Sequence, residues 1–282
     1  MRTESKMMRL ILEGAADERI RLVTLEGSRT NVNISRDIYQ DYDISYFVTD
    51  MDEFKENEAW LEMFGKRIFM QTPEAMELFP PELGNWFSYL MLFEDGNRID
   101  LTLIPIEEVE EYFQKSDGLV EVLLDKDSRV KSEVKPTDEA YWIKKPTARE
   151  FDDCCNEFWW VATYVAKGLA RGEMLYAIDH LHNNVRPNLL RMIGWKIGLD
   201  YGYTFSLGKN YKFINRYLPE EDWETLLSTY IQNNEEAMWQ ALFDCFILFR
   251  AYSKVLAKEF NYPYPSYDTA ITTYIGTIRD RP

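Results

Sequence analysis

The chain has 282 residues, enough for one large domain or two smaller ones, and its 46% hydrophobic content argues against an intrinsically disordered chain. With 48 acidic against 32 basic residues the formal charge is −16, a balance that repels phosphate backbones, argues against nucleic acid as a partner and attracts cations. No stretch approaches the roughly 18 uninterrupted apolar residues of a membrane span, and the start, "MRTESKMMRLILEG", is too charged for a signal peptide, so a cytoplasmic protein is expected.

In chain order, Met7 to about Ala15 reads as a short helix and "RIRLVTLEG" as a strand. "YDISYFVTD" is a second strand, "EFKENEAWLEMFG" a helix and "RIFMQT" a third strand. "NWFSYLMLFEDGNRIDLTLIP" reads as two strands around Asp95-Gly96, a strong hairpin signal. A short helix near Glu107 and the strand "LVEVLLD" complete an α/β half with a mixed sheet. The pattern then changes. Thr147 to Glu150 fits a capping box, and the helix it opens runs to about Leu169. A second helical run covers Glu173 to about Ile197, with a kink expected at Pro187, and the longest runs from about Glu235 to Phe260. The expected organisation is an α/β domain over 1–145 and an all-α domain over 146–282. Cys154, Cys155 and Cys245 form no spaced motif and read as buried thiols of a reducing compartment. No heptad repeat marks an oligomer interface.

The chemistry concentrates in "QDYDISYFV". Strand side chains alternate, so Asp41 and Asp43 share one face, and Tyr42, Ile44, Tyr46 and Val48 share the other. The apolar set can pack on helices while both carboxylates point to open space. Two like charges that close raise each other's pKa, and the arrangement is tolerable when cations sit between them; Mg²⁺ prefers such oxygen ligands. In "NRIDLTLIP" the parity puts Asp100 opposite Ile99, Leu101 and Leu103. If that strand neighbours the first, Asp100 joins the pair in a three-carboxylate site suited to two-metal phosphoryl or nucleotidyl transfer. Upstream, "TLEGSRTN" places Gly27 and Ser28 at a strand end, where a helix is expected to begin. A glycine turn, a serine hydroxyl and a helix N-terminus together suit a phosphate, and Arg29 adds a charge.

This sequence of Gly27-Ser28, Asp41-Tyr42-Asp43-Ile44 and Asp100 on a later strand resembles the polymerase-beta-like nucleotidyltransferase superfamily. Within it, "EGSRTN", "QDYDISYFV", "RIDLTLIP", "LLDKD" and "GKNYKFINRYLP", followed by a helical C-terminal half, are similar to the aminoglycoside 6-adenylyltransferases that modify streptomycin. The resemblance covers nearly the whole chain. It implies transfer of AMP from Mg²⁺-ATP to the 6-hydroxyl of streptomycin with release of pyrophosphate, an antibiotic-resistance activity. It implies that Asp41, Asp43 and Asp100 hold metal, that Asp100 also helps take the acceptor proton, and that Gly27 and Ser28 hold the triphosphate. It implies a nucleotidyltransferase domain followed by a helical substrate-binding domain. Similar enzymes grip the triphosphate with a lysine of the helical half, for which Lys209, ahead of Lys212, is the candidate. Two alternatives stand beside this: the same chemistry on another small-molecule or protein acceptor, and a non-catalytic nucleotide-binding module.

Acceptor contacts are expected in the helical half. Asp179, Asn183 and Arg186 form a polar stripe opposite Leu175, Ile178, Leu181 and Val185, and Asp179 on that stripe could meet a guanidinium. Glu157 lies among the aromatics of "NEFWW" and is placed likewise. Trp86, Trp159 and Trp160 could stack on a flat cation, although core packing suits each of them better. His180 and His182, two apart on a helix, cannot face one metal.

Overall fold

The protein, described here by a computed structural model covering residues 1–281, divides into two compact units, Met1–Ala140 and Tyr141–Pro282. In the first unit, Met7 and Ile11 fall one turn apart and anchor α1 (Glu4–Gly14), which Thr3 caps by accepting the Lys6 N–H. Then come β1 (Ile20–Glu26), β2 (Tyr42–Val48), α2 (Met51–Glu56), β3 (Arg67–Gln71), β4 (Phe87–Phe93), β5 (Arg98–Pro105), α3 (Val109–Lys115) and β6 (Val120–Asp125). The six strands form one sheet in the order β3-β4-β5-β2-β1-β6. Only β2 and β5 run parallel; every other neighbouring pair is antiparallel. The helix expected over "EFKENEAWLEMFG" is broken. Asn57 is extended and its side chain accepts the Ala59 N–H at 3.1 Å, so α2 stops and a 3₁₀ segment, Glu58–Phe64, begins.

The alternation in β2 and β5 decides what the sheet presents. Tyr42, Ile44, Tyr46 and Val48 pack with Ile99, Leu101 and Leu103 against Met7, Ile11, Phe54 and Phe64. Burying side chains of this size is worth about 1.5–3 kcal/mol each, which locks the register. The opposite face is covered by Ile106, Val109 and Tyr112 over Leu22 and Phe47. That cover leaves Asp43 and Asp100 only half-buried at the starts of their strands.

The second unit is helical: α4 (Ala148–Ala170), α5 (Met174–His180), α6 (Arg186–Tyr201), α7 (Glu220–Ser228), α8 (Glu235–Phe260) and α9 (Asp268–Arg279). The capping box forms, with Thr147 Oγ1 accepting the Glu150 N–H at 3.1 Å and Glu150 accepting the Thr147 N–H at 2.7 Å. Pro187 has no N–H to donate backward. The chain answers with a π-helical turn, Leu181–Val185. Of the expected stripe, Asp179 and Asn183 are exposed and Leu181 and Val185 buried, while Arg186 and Leu175 depart from it. Arg186 turns inward, 2% exposed, under the Tyr230 ring and bonded to Thr229, while Leu175 is 82% exposed. All three cysteines are free and buried.

Candidate functional site

The register across three adjacent strands builds the site. Glu26 on β1 pairs with Asp43 on β2, and Asp43 pairs with Asp100 on β5. Adjacent strands lie about 4.8 Å apart, so a row of three carboxylates crosses the sheet. Asp41 sits one residue ahead of β2, at its mouth, with its side chain 38% exposed.

Electrostatics at Asp43 and Asp41 run against ionisation. Burial first, then Asp100, Asp41 and Glu26, push Asp43 up to about 7. Burial also raises Asp41, with Asp100 adding to it and Arg98 opposing. Glu26 is fixed through one oxygen, Oε1, which accepts from Thr24 Oγ1 at 2.8 Å and Tyr112 Oη at 2.7 Å. Arg98 supplies the local positive charge. Its Nε and Nη2 donate to the two oxygens of Asp100, each at 2.7 Å, and Nη1 lies 3.7 Å from Asp41 Oδ2.

Gly27 shapes the space beside the row. Its φ is +67°, and a Cβ there would stand 2.6 Å from Asp43 Oδ2. Its N–H donates to Leu119 O at 2.9 Å, which ties the turn to the sheet edge. The helix expected after Gly27-Ser28 is absent. Gly27–Arg29 is a single 3₁₀ turn, followed by irregular chain to β2, so no helix N-terminus serves an anion there. Arg29 is likewise not presented to a ligand. It is 6% exposed, donates to the carbonyls of Gln40 (2.7 Å) and Asp41 (2.9 Å), and lies 3.7 Å over the Tyr42 ring. Gln40 Nε2 closes the loop on Ser28 O at 3.0 Å. Arg29 therefore holds the backbone that carries Asp41.

A cleft of about 390 Å³ opens beside Gly27 and Asp43, with Glu26, Trp86, Tyr112, Lys115 and Asp117 among its walls. The Trp86 and Tyr112 rings lie 5.9 Å apart, and Trp86 Nε1 donates to Glu108 at 2.6 Å. Aromatic faces with carboxylates suit a cation.

The donor set fits a hard divalent cation. It is all carboxylate oxygen, Asp43 is desolvated beside like charges, and the missing Gly27 side chain leaves room at Asp43 Oδ2. Among the described residues, no three acidic, histidine or cysteine side chains converge on one metal position. The positive charge on the row is Arg98.

In the helical unit Asp179 and Glu157 accept from the consecutive residues Asn183 and Asn184. Lys209 is exposed at a turn after Gly208, whose φ is +76°. Asp179 is exposed and accepts from Asn183 Nδ2 at 2.7 Å; Glu157 is exposed and accepts from Asn184 Nδ2 at 3.4 Å. Glu157 also lines a cleft of about 390 Å³ with Asp153, Arg191 and Trp195. Trp159 is buried in the core, and Trp160 is 59% exposed with its Nε1 on Tyr164 Oη at 2.7 Å. Sequence reasoning missed Glu26 and Arg98. Both were visible as charged neighbours of quoted motifs, Glu26 next to Gly27 and Arg98 two residues before Asp100 on the same strand face.

The sequence matches the family described as streptomycin adenylyltransferase over residues 1–278. It is 66% identical over 279 residues to an aminoglycoside 6-adenylyltransferase of Bacillus subtilis (strain 168), covering 99% of this chain and 98% of the other. It is 50% identical over 276 residues to one of Staphylococcus aureus, covering 98% of each. A crystal structure of an aminoglycoside 6-adenyltransferase from Bacillus subtilis matches all of both chains, with a TM-score of 0.50 and 58% identity.

Proposed function

The chain belongs to the streptomycin adenylyltransferase family, and from that membership we propose how its residues carry the reaction. It is an enzyme that transfers AMP from ATP to an aminoglycoside, and the acceptor is the 6-hydroxyl of streptomycin. The hydroxyl oxygen forms a bond to the α-phosphorus, the bond to the bridging oxygen of the β-phosphate breaks, and pyrophosphate leaves. The acceptor proton goes to a carboxylate. The observation that carries this reading is the register of Asp43 against Asp100, with Asp41 beside them and the Gly27 turn leaving space at Asp43 Oδ2.

Asp41, Asp43 and Asp100 are the residues that would hold Mg²⁺. When bound, the ion neutralises charge on the triphosphate and makes the acceptor hydroxyl more acidic. Asp100 is assigned as proton acceptor once Arg98 no longer occupies both its oxygens. The Gly27 turn and Ser28 are assigned to the triphosphate. Glu157 and Asp179, exposed carboxylates, are assigned to guanidinium groups of the acceptor. The formal charge of −16 draws a polycationic acceptor toward the protein. Consumption of ATP fits a cytoplasmic enzyme, and no described helix is long and apolar enough to cross a membrane.

The test is pyrophosphate release from ATP across a panel of aminoglycosides. Release that depends on streptomycin supports the reading; no release with any acceptor overturns it.

A further inference from the structure

Arg98 and Asp100 are two apart on β5, so their side chains share the polar face of the strand. Nε reaches Asp100 Oδ1 and Nη2 reaches Oδ2, both at 2.7 Å, which is the bidentate geometry of an arginine fork. The third nitrogen, Nη1, lies 3.7 Å from Asp41 Oδ2, one residue ahead of the neighbouring parallel strand. One guanidinium thus spans two of the three aspartates. The fork takes up both oxygens of Asp100, the same atoms a hard cation would need. Asp43, paired with Asp100 across the two strands, is the one aspartate of the three that Arg98 does not reach. Arg98 reaches the row from the solvent side: its side chain is 42% exposed, against 20% for Asp100.

We propose that Arg98 is a built-in counter-cation of the carboxylate row, occupying Asp100 and Asp41 in the metal-free protein and yielding them when a divalent cation binds. This rests on the proposed function, since it takes the row to be the metal site. Arg98 is a positioning residue under this assignment. It holds like charges together while no metal is present, and it competes directly with the metal for Asp100. Released from Asp100, the guanidinium remains at the site as a free fork, a geometry that matches a phosphate group. Removing Arg98 therefore has two effects of opposite sign, on divalent cation and on nucleotide.

The experiment measures Mn²⁺ binding to the nucleotide-free protein by electron paramagnetic resonance, for the parent, Arg98→Gln, Arg98→Lys and Asp100→Asn. Arg98→Gln is expected to bind Mn²⁺ at least about tenfold more tightly than the parent, because its competitor is gone. Its melting temperature in chelator should fall, because the row loses its neutralising charge. Arg98→Lys keeps a charge but loses the fork, and should lie between the two. The KM for ATP of Arg98→Gln should rise. Equal or weaker Mn²⁺ binding by Arg98→Gln overturns the inference and leaves Arg98 a structural ion pair. If Arg98→Gln does not fold, Arg98→Lys decides: tighter Mn²⁺ binding than the parent supports the inference, and unchanged binding overturns it. Asp100→Asn separates the two ideas. If the parent and Asp100→Asn bind Mn²⁺ alike, with and without an ATP analogue, the row is not the metal site and the functional reading itself fails.

Discussion

Gly27 and Asp43 sit so close that the first has no room for a side chain: a Cβ on Gly27 would lie 2.6 Å from Asp43 Oδ2. Gly27 opens the 3₁₀ turn directly after β1, and Asp43 lies on β2, joined to β1 by the Glu26–Asp43 pairing. The glycine is required twice, once by this contact and once by its φ of +67°.

Gly27→Ala should therefore cost stability and activity together. The left-handed backbone alone costs a non-glycine residue about 1–2 kcal/mol, and displacement of Asp43 adds to it. Urea melts should show a loss of at least about 1 kcal/mol, and kcat/KM should fall by about 10²-fold or more, since small misplacement at a reacting centre is costly. Near-parent values of both would mean that the turn is free to move away from Asp43.

Asp43→Asn should abolish turnover and change how the metal-free protein responds to pH. The folded-state pKa of Asp43 is raised, from 3.8 to about 7. Its contribution to stability is therefore complete below the lower value and is lost as pH rises through the higher one. Asp41 is raised too and acts in the same direction. In chelator, the parent should lose melting temperature from about pH 4 to pH 7 relative to Asp43→Asn, and the variant should be the more stable of the two above that window. Adding a divalent cation should reverse the order. Parallel pH profiles for the two proteins would show that Asp43 is not under the pressure its surroundings imply.

Asp100→Asn separates chemistry from binding. The amide keeps the shape and one acceptor oxygen, but it neutralises less charge and cannot take a proton. General-base catalysis is worth about 10²–10⁴-fold, so kcat should fall by at least about 10²-fold, while ATP affinity changes by less than about tenfold. Calorimetry that finds ATP binding lost, alongside a kcat near that of the parent, would remove Asp100 from its catalytic assignment.

Much of this was legible in the sequence because it follows from period-two alternation. In β2 and β5 a one-residue slip would bury aspartate and expose Tyr42, Ile44, Ile99 and Leu101, so parity alone put Asp43 and Asp100 on the polar face. Three kinds of information were not legible. The π-turn at Leu181–Val185 arises from how the chain accommodates Pro187, and its one-residue phase shift carries Arg186, the residue that follows it, into the core. The fate of Arg29 depended on the path of the loop back to Gln40 and Asp41, a tertiary fact with no local signature. Glu26 and Arg98 acquire meaning only once β1, β2 and β5 are known to be neighbours in this register. Two helices were overlooked although signals existed: Pro219 followed by Glu220, Glu221 and Asp222 marks the start of α7, and Asp268 stands in the first turn of α9.

The most direct measurement incubates the protein with ATP, Mg²⁺ and either streptomycin or kanamycin, then examines the products by mass and by phosphorus–proton NMR correlation. The expected result is a streptomycin–AMP adduct with phosphorus coupled to the proton on carbon 6, one pyrophosphate released per adduct, and little adduct on kanamycin, which lacks the streptidine ring. Equal rates on the two antibiotics, attachment at a different hydroxyl, or no adduct from either would contradict the assignment.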